Sequence, residues 1–151
     1  RANLIIGGRA GWQASSIKEI ANDIPALKER VDFIGFVDQK DLPCLMSAAR
    51  GLILPSRYEG FGMPILEAMA AKTPVICSDR GAMPEIANGS SLLFDADNEQ
   101  ALTNHILNLD ANDDLYEELQ ERGYQWASNF TWERTAEETF AAYRKMLALP
   151  Q

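Results

Sequence analysis

The 151 residues suit one domain of ordinary size, and a hydrophobic content of 46% supplies enough apolar side chain for a packed core. Fourteen basic residues against twenty-two acidic ones give a formal charge of -8, which argues against a nucleic-acid backbone as partner, because such binders present basic patches. A small phosphorylated ligand stays open, since a few donors at one helix end can hold a diphosphate.

Two cysteines, Cys44 and Cys77, are too few for a disulfide scaffold and read as buried free thiols. His105 is the one histidine and no metal-ligand spacing occurs, so neither a metal nor a resident cofactor is expected. No apolar run approaches the roughly 18 residues of a membrane span. The start of the chain, Arg1-Ala2-Asn3-Leu4-Ile5-Ile6, lacks the layout of a signal peptide. A cytoplasmic chain is expected, entering abruptly into a strand as a piece with upstream sequence missing.

Short apolar runs alternate with helical patterns. Leu4-Ile5-Ile6-Gly7-Gly8 reads as a buried strand ending in a glycine turn. Ser16 is placed to cap the helix that follows, with Ile17, Ile20, Ala21 and Ile24 on one face. Val31 to Val37 is a second strand, and Asp38 precedes a short helix carrying Leu42, Leu45, Met46 and Ala49. Gly51 to Pro55 is a third strand, Ile65 to Ala71 a third helix, Pro74 to Cys77 a fourth strand and Ser91 to Phe94 a fifth. Strands that alternate with helices predict an α/β fold, a Rossmann-like parallel sheet with helices on both faces. Near-continuous apolar strands fit it, because they are buried on both sides.

After Asp95 the pattern turns helical. Asp97-Asn98-Glu99-Gln100 reads as a capping box opening a helix to about Leu109. Asp113 to Phe130 and Trp132 to Leu149 are two extra C-terminal helices, split near Thr131 as an N-cap. His105 reads as a helix-face residue rather than a catalytic one. Trp126, Phe130, Trp132, Phe140 and Tyr143 read as packing these helices onto the domain, and Glu117, Glu118, Glu121 and Arg122 as a solvated face. On the last helix, Trp132, Ala136, Phe140, Tyr143 and Leu147 form one stripe, while Ala141, Ala142, Met146 and Leu149 lie off it and are expected to lack cover.

One segment carries chemistry. Leu54-Pro55-Ser56-Arg57-Tyr58-Glu59-Gly60-Phe61-Gly62-Met63-Pro64-Ile65-Leu66-Glu67-Ala68-Met69-Ala70 leaves a buried strand, crosses a glycine-containing loop and enters a helix at Pro64. Ligands of open parallel sheets bind beyond the carboxyl ends of the strands. Proline suits a first helical turn, where its missing N–H costs nothing. The free amides of that turn favour an anion, and glycines admit a ligand close to the backbone. Glu59 lies before the helix, and Glu67 lies about one turn inside with its side chain leaning back. A nucleotide sugar needs both kinds of group: donors for its diphosphate and acceptors for its hydroxyls. The bland reading also stands, because acidic residues near a helix start complement its dipole.

Glu59 through Glu67 resembles the E-x7-E signature of the retaining glycosyltransferases of family 4, the group 1 transferases of GT-B fold. The likeness extends to Phe33-Ile34-Gly35-Phe36-Val37, Pro55-Ser56, Glu59-Gly60-Phe61-Gly62, Leu66-Glu67-Ala68-Met69-Ala70, Thr73-Pro74-Val75, Ser78-Asp79, Pro84-Glu85 and Phe130-Thr131-Trp132-Glu133. It spans almost the whole chain.

The resemblance implies that residues 1–151 are the C-terminal, donor-binding domain of such an enzyme. Glu59 would contact donor-sugar hydroxyls at the reacting face, as the catalytic candidate, and Glu67 would hold the ribose. Backbone around Gly60, Phe61, Gly62 and Met63 would line the sugar. The amides of Ile65 and Leu66 would approach the phosphates, and Phe36 and Val37 would touch the base. The family's phosphate-binding arginine and lysine, its first strand of this domain, its acceptor site and its frequent catalytic histidine would all lie upstream of residue 1. Arg9 occupies a different loop and does not replace them. Gly11-Trp12 resembles mannosyl- and glucosyl-transferring members.

The expected activity is transfer of a hexose from a nucleoside diphosphate to an acceptor hydroxyl with retention. Its partners would be the donor, the missing N-terminal domain and a saccharide or lipid-linked acceptor. The parent would touch the membrane through that other domain, and the isolated chain would be inactive. The alternative is a non-catalytic nucleotide-binding or assembly module of Rossmann-like fold, which would not need both Glu59 and Glu67 beside a phosphate-binding turn.

Overall fold

The structure, a computed structural model, describes residues 3–9, 11 and 14–147. Its contacts cluster into two compact units, Arg1–Leu42 and Pro43–Gln151.

The first unit is one strand–helix–strand turn. β1 (Leu4–Gly7) pairs in parallel with β2 (Val31–Gly35), and α1 (Ala14–Asp23) and α2 (Pro25–Lys28) fill the crossover. The register runs Leu4 to Val31 and Ile6 to Phe33, then slips between Ile6 and Gly7. β2 ends at Gly35, whose φ of 69° is left-handed, so it stops two residues short of Val37. The expectation of a buried first strand fails: Leu4 and Ile5 are exposed. On α1, Ile17 and Ile20 are exposed, and among the residues whose burial is described only Ala21 is buried. Two strands with one ten-residue helix and one four-residue helix cannot enclose both faces of a sheet. α1 begins at Ala14, which places Ser16 inside the helix rather than at its cap.

The second unit carries the core. β3 (Leu52–Leu54), β4 (Val75–Ser78) and β5 (Leu92–Phe94) form a parallel sheet in that order, with Ile53, Ile76 and Leu92 aligned across it. β4 is buried along its whole length, as the central strand of a covered parallel sheet must be. Helices flank both sides. α4 (Met63–Ala70) packs on β3 and β4, α6 (Glu99–Ala111) packs on β4 and β5, and α7 (Asp113–Ala127) packs on α4 and α6.

Ile76, Phe94, Leu109 and Leu119 make one apolar cluster, joined by Ile53, Leu92, Leu102 and Leu115. Full burial of such a side chain contributes about 1.5–3 kcal/mol. α4 and α7 approach closely at Gly123, where an added Cβ would stand 3.0 Å from Met69 Cγ. Thr73, buried before β4, donates to the Met46 carbonyl of α3 (Leu42–Ala48) at 2.7 Å.

Several expectations are corrected here. The α6 cap is Asn98, whose side chain accepts the Ala101 amide. The third helical position is therefore alanine, and no reciprocal capping box forms. A further short helix, α5 (Met83–Ala87), follows β4 where the sequence pattern predicts none. Cys44 is exposed, whereas Cys77 is buried as expected.

Thr131 does cap α8 (Trp132–Leu147), accepting the Arg134 amide at 3.1 Å. No residue of α8 is buried, however. Trp126 donates to the Ile86 carbonyl and meets Phe130 edge-on. Trp132, Phe140 and Tyr143 are exposed instead of packed. Met146 lacks cover, as expected, but so does Leu147 on the stripe; Leu149 lies outside the described residues. Among the described residues, no helix is long and apolar enough to cross a membrane.

Candidate functional site

The carboxyl ends of β3, β4 and β5 each open into a loop, and charged residues leave all three. The β3 loop runs from residue 55 to 62 and holds Ser56, Arg57 and Glu59. The β4 loop holds Asp79, Arg80 and Gly81. The β5 loop holds Asp95 and Asp97.

The β3 loop is tied to the end of β4. Ser78, fully buried as the last residue of β4, donates its hydroxyl to the Ser56 carbonyl at 2.6 Å. Ser56 in turn donates its own hydroxyl to Oε1 of Glu59 at 2.8 Å. The Glu59 carbonyl accepts the Ala82 amide at 3.3 Å. Gly81 makes that approach possible: its φ is 57°, and a Cβ there would stand 2.9 Å from the Glu59 carbonyl oxygen.

Ion pairs add a second set of ties. Arg57 meets Asp97 at 2.6 Å, and Arg80 meets Asp95 at 2.8 Å, Asp79 at 3.3 Å and Asp97 at 3.4 Å. The Asp97 amide, first, and Arg80, second, hold the Asp95 carboxyl below its ordinary range. The Asp95 hydrogen bond raises Arg80 further above the usual guanidinium value. Burial pushes the Cys77 thiol up, so it is not a poised nucleophile.

Gly62 is the N-cap of α4; it is buried, left-handed at φ 91° and brings no side chain to cap the helix. Pro64 falls in the first turn. The Ile65 amide donates to the Gly62 carbonyl at 2.9 Å, so an anion at this end would share or displace that bond. Ile65 and Leu66 are buried, so their side chains serve the core. Glu67 is half-buried on α4, and its carboxylate has no hydrogen-bond or ion-pair partner among the described residues. Phe61, Met63 and Tyr58 are exposed large side chains of the same loop and helix start. Gly60 has open space where a Cβ would sit.

The structure thus brings Glu59, Gly60, Phe61, Gly62, Met63, Ile65, Leu66 and Glu67 onto one loop and helix start. Val37 belongs to the first unit, half-buried beside Gly7. His105 is taken up by the Leu93 carbonyl, 3.0 Å from its Nε2. Ser56, Ser78, Arg80, Gly81, Asp95 and Asp97 are not among the site residues expected from the sequence, yet they build its loops. The signal available was opposite charges just after successive strands, at Arg57, Arg80, Asp95 and Asp97.

The family model for glycosyl transferases group 1 matches residues 1–126. The chain belongs to that family. The O-antigen chain mannosyltransferase B of Escherichia coli is 35% identical over 144 residues, which are 95% of this chain and 38% of that protein. The group 1 chain therefore spans well under half the length of this relative.

The sucrose-phosphate synthase of Thermosynechococcus elongatus superposes with a TM-score of 0.85 at 30% identity, over 97% of this chain and 39% of that one. The Anabaena protein HepE, solved with UDP-glucose, gives 0.81 at 25% identity over 95% and 41%. The architecture is that of GT-B glycosyltransferases, and the match carries the C-terminal part of a group 1 enzyme.

Proposed function

We propose that this chain is the donor-binding domain, residues 1–151, of a retaining family 4 hexosyltransferase. The observation that carries the reading is the Glu59 loop. It places one tethered carboxylate before a helix whose start has no side-chain cap, and one turn inside a second carboxylate that has no partner among the described residues. A hexose bound to a nucleoside diphosphate matches that division. The amides at the α4 N-terminus complement the diphosphate, Glu59 accepts from sugar hydroxyls and Glu67 from the ribose. Backbone at Gly60 to Met63 lines the sugar. Charge builds on the departing diphosphate during transfer, and donors fixed at a helix end stabilise it without reorganising.

Relatives support the class: the Escherichia coli protein is named a mannosyltransferase and HepE was solved with UDP-glucose. The reading places the acceptor, a saccharide or a lipid-linked saccharide, on a further domain upstream. It uses no metal and no cofactor beyond the donor. It also places the enzyme in the cytoplasm, touching the membrane through that upstream domain.

Turnover tests this reading. The full-length protein should transfer hexose from UDP-glucose or GDP-mannose with the α-configured donor giving an α-configured product by NMR, and the 151-residue chain alone should give no transfer. A β-configured product, or transfer by the chain alone, contradicts it.

A further inference from the structure

A glutamate in the middle of an eight-residue loop has many rotamers, and a group that must meet particular sugar hydroxyls cannot use most of them. The Glu59 carboxylate is nonetheless held. Ser56 Oγ donates to its Oε1 at 2.8 Å, while Oε2 has no hydrogen-bond partner among the described residues. An ionised carboxylate only accepts, so the hydroxyl is the donor and its direction is fixed.

Ser56 is itself gripped. Its carbonyl receives the hydroxyl of Ser78, which is fully buried at the end of the central strand. Behind Glu59, the Ala82 amide and the flat face of Gly81 hold the backbone. The core strand thus anchors Ser56, and Ser56 anchors one oxygen of Glu59, while the other meets no partner among the described residues.

We propose that Ser56 is the positioning residue of Glu59, fixing the carboxylate so that Oε2 is presented to a hydroxyl of the donor hexose. The proposal rests on the reading of Glu59 as the residue that meets the sugar. A turn-forming serine would serve the loop alone. A positioning serine serves sugar recognition and leaves nucleotide recognition untouched.

The test compares Ser56→Ala, Ser56→Thr and Glu59→Ala in the full-length protein. UDP, UDP-glucose, GDP and GDP-mannose are titrated calorimetrically, and the Glu59 carboxyl carbon resonance is followed by NMR. Ser56→Ala should shift that resonance and lose affinity for the preferred nucleotide sugar on the order of tenfold, the scale of one hydrogen bond to a charged group. Its affinity for the sugar-free nucleotide should stay unchanged. Ser56→Thr keeps a hydroxyl and should restore both readouts.

Loss of sugar recognition in Glu59→Ala but not in Ser56→Ala overturns the positioning role and leaves the Glu59 reading standing. Equal losses by Ser56→Ala for nucleotide and nucleotide sugar make the serine a loop residue and also overturn it. No loss of sugar recognition in either alanine variant removes the Glu59 reading, and the proposal with it.

Discussion

Gly81 and Glu59 meet backbone to backbone: a Cβ on Gly81 would stand 2.9 Å from the Glu59 carbonyl oxygen and 3.1 Å from its nitrogen. Neither atom belongs to a flexible side chain, so the loop itself would have to move. Gly81 also sits at φ 57°, which costs a non-glycine residue about 1–2 kcal/mol before any clash. Gly81→Ala should therefore destabilise the protein by about 1–3 kcal/mol and speed hydrogen exchange at the Ala82 amide, which bonds to Glu59. Denaturant melts and amide exchange check both, and wild-type exchange at Ala82 would show that the two loops do not depend on this contact.

Acid should loosen the ties between the β4 and β5 loops. The folded Asp95 carboxyl titrates below its ordinary value, chiefly through the Asp97 amide and then through Arg80. Its stabilisation is therefore fully present above the unfolded aspartate value, about 4. It is lost as pH falls through that value and the lower folded one. Comparing the wild type with Asp95→Asn by melting across pH should show a gap at neutral pH that closes in acid and narrows in high salt. A gap that is constant with pH contradicts the assignment.

The two sides of the C-terminal region should respond differently to truncation. Leu119 is buried in the main apolar cluster, whereas Leu147 is 86% exposed. In the 151-residue chain, Leu119→Ala should cost about 2–5 kcal/mol, and Leu147→Ser less than about 0.5 kcal/mol. Urea melts of the two variants decide it, and comparable losses would mean that α8 packs in solution.

The strands that matter most were legible because burial leaves a plain mark. Val75-Ile76-Cys77 has no polar residue, and it is the covered central strand. The site was legible where backbone geometry demands a residue type: Gly62 is left-handed and Pro64 lies in the first turn. Other features leave no such mark. Met83–Ala87 is too short for a period to emerge. Asn98 rather than Asp97 is the cap, because the helix starts one residue later than the capping-box pattern implies. The α8 aromatics look like core residues in sequence, because hydrophobicity states a wish for cover and not which surface supplies it. The ties Ser78 to Ser56 and Arg57 to Asp97 join residues 22 and 40 positions apart, and only the folded loops bring them together.

The central claim, that Glu59 reads the sugar and Glu67 the nucleotide, is tested most directly by calorimetric titration of the full-length Glu59→Ala and Glu67→Ala variants. Each is titrated with the nucleoside diphosphate and then with its hexose form. Glu67→Ala should lose about 1.5–3 kcal/mol for both ligands, the worth of a hydrogen bond to a charged group. Glu59→Ala should bind the sugar-free nucleotide as the wild type does and lose a similar amount only when the hexose is present. Equal losses by the two variants for the sugar-free nucleotide would contradict the account.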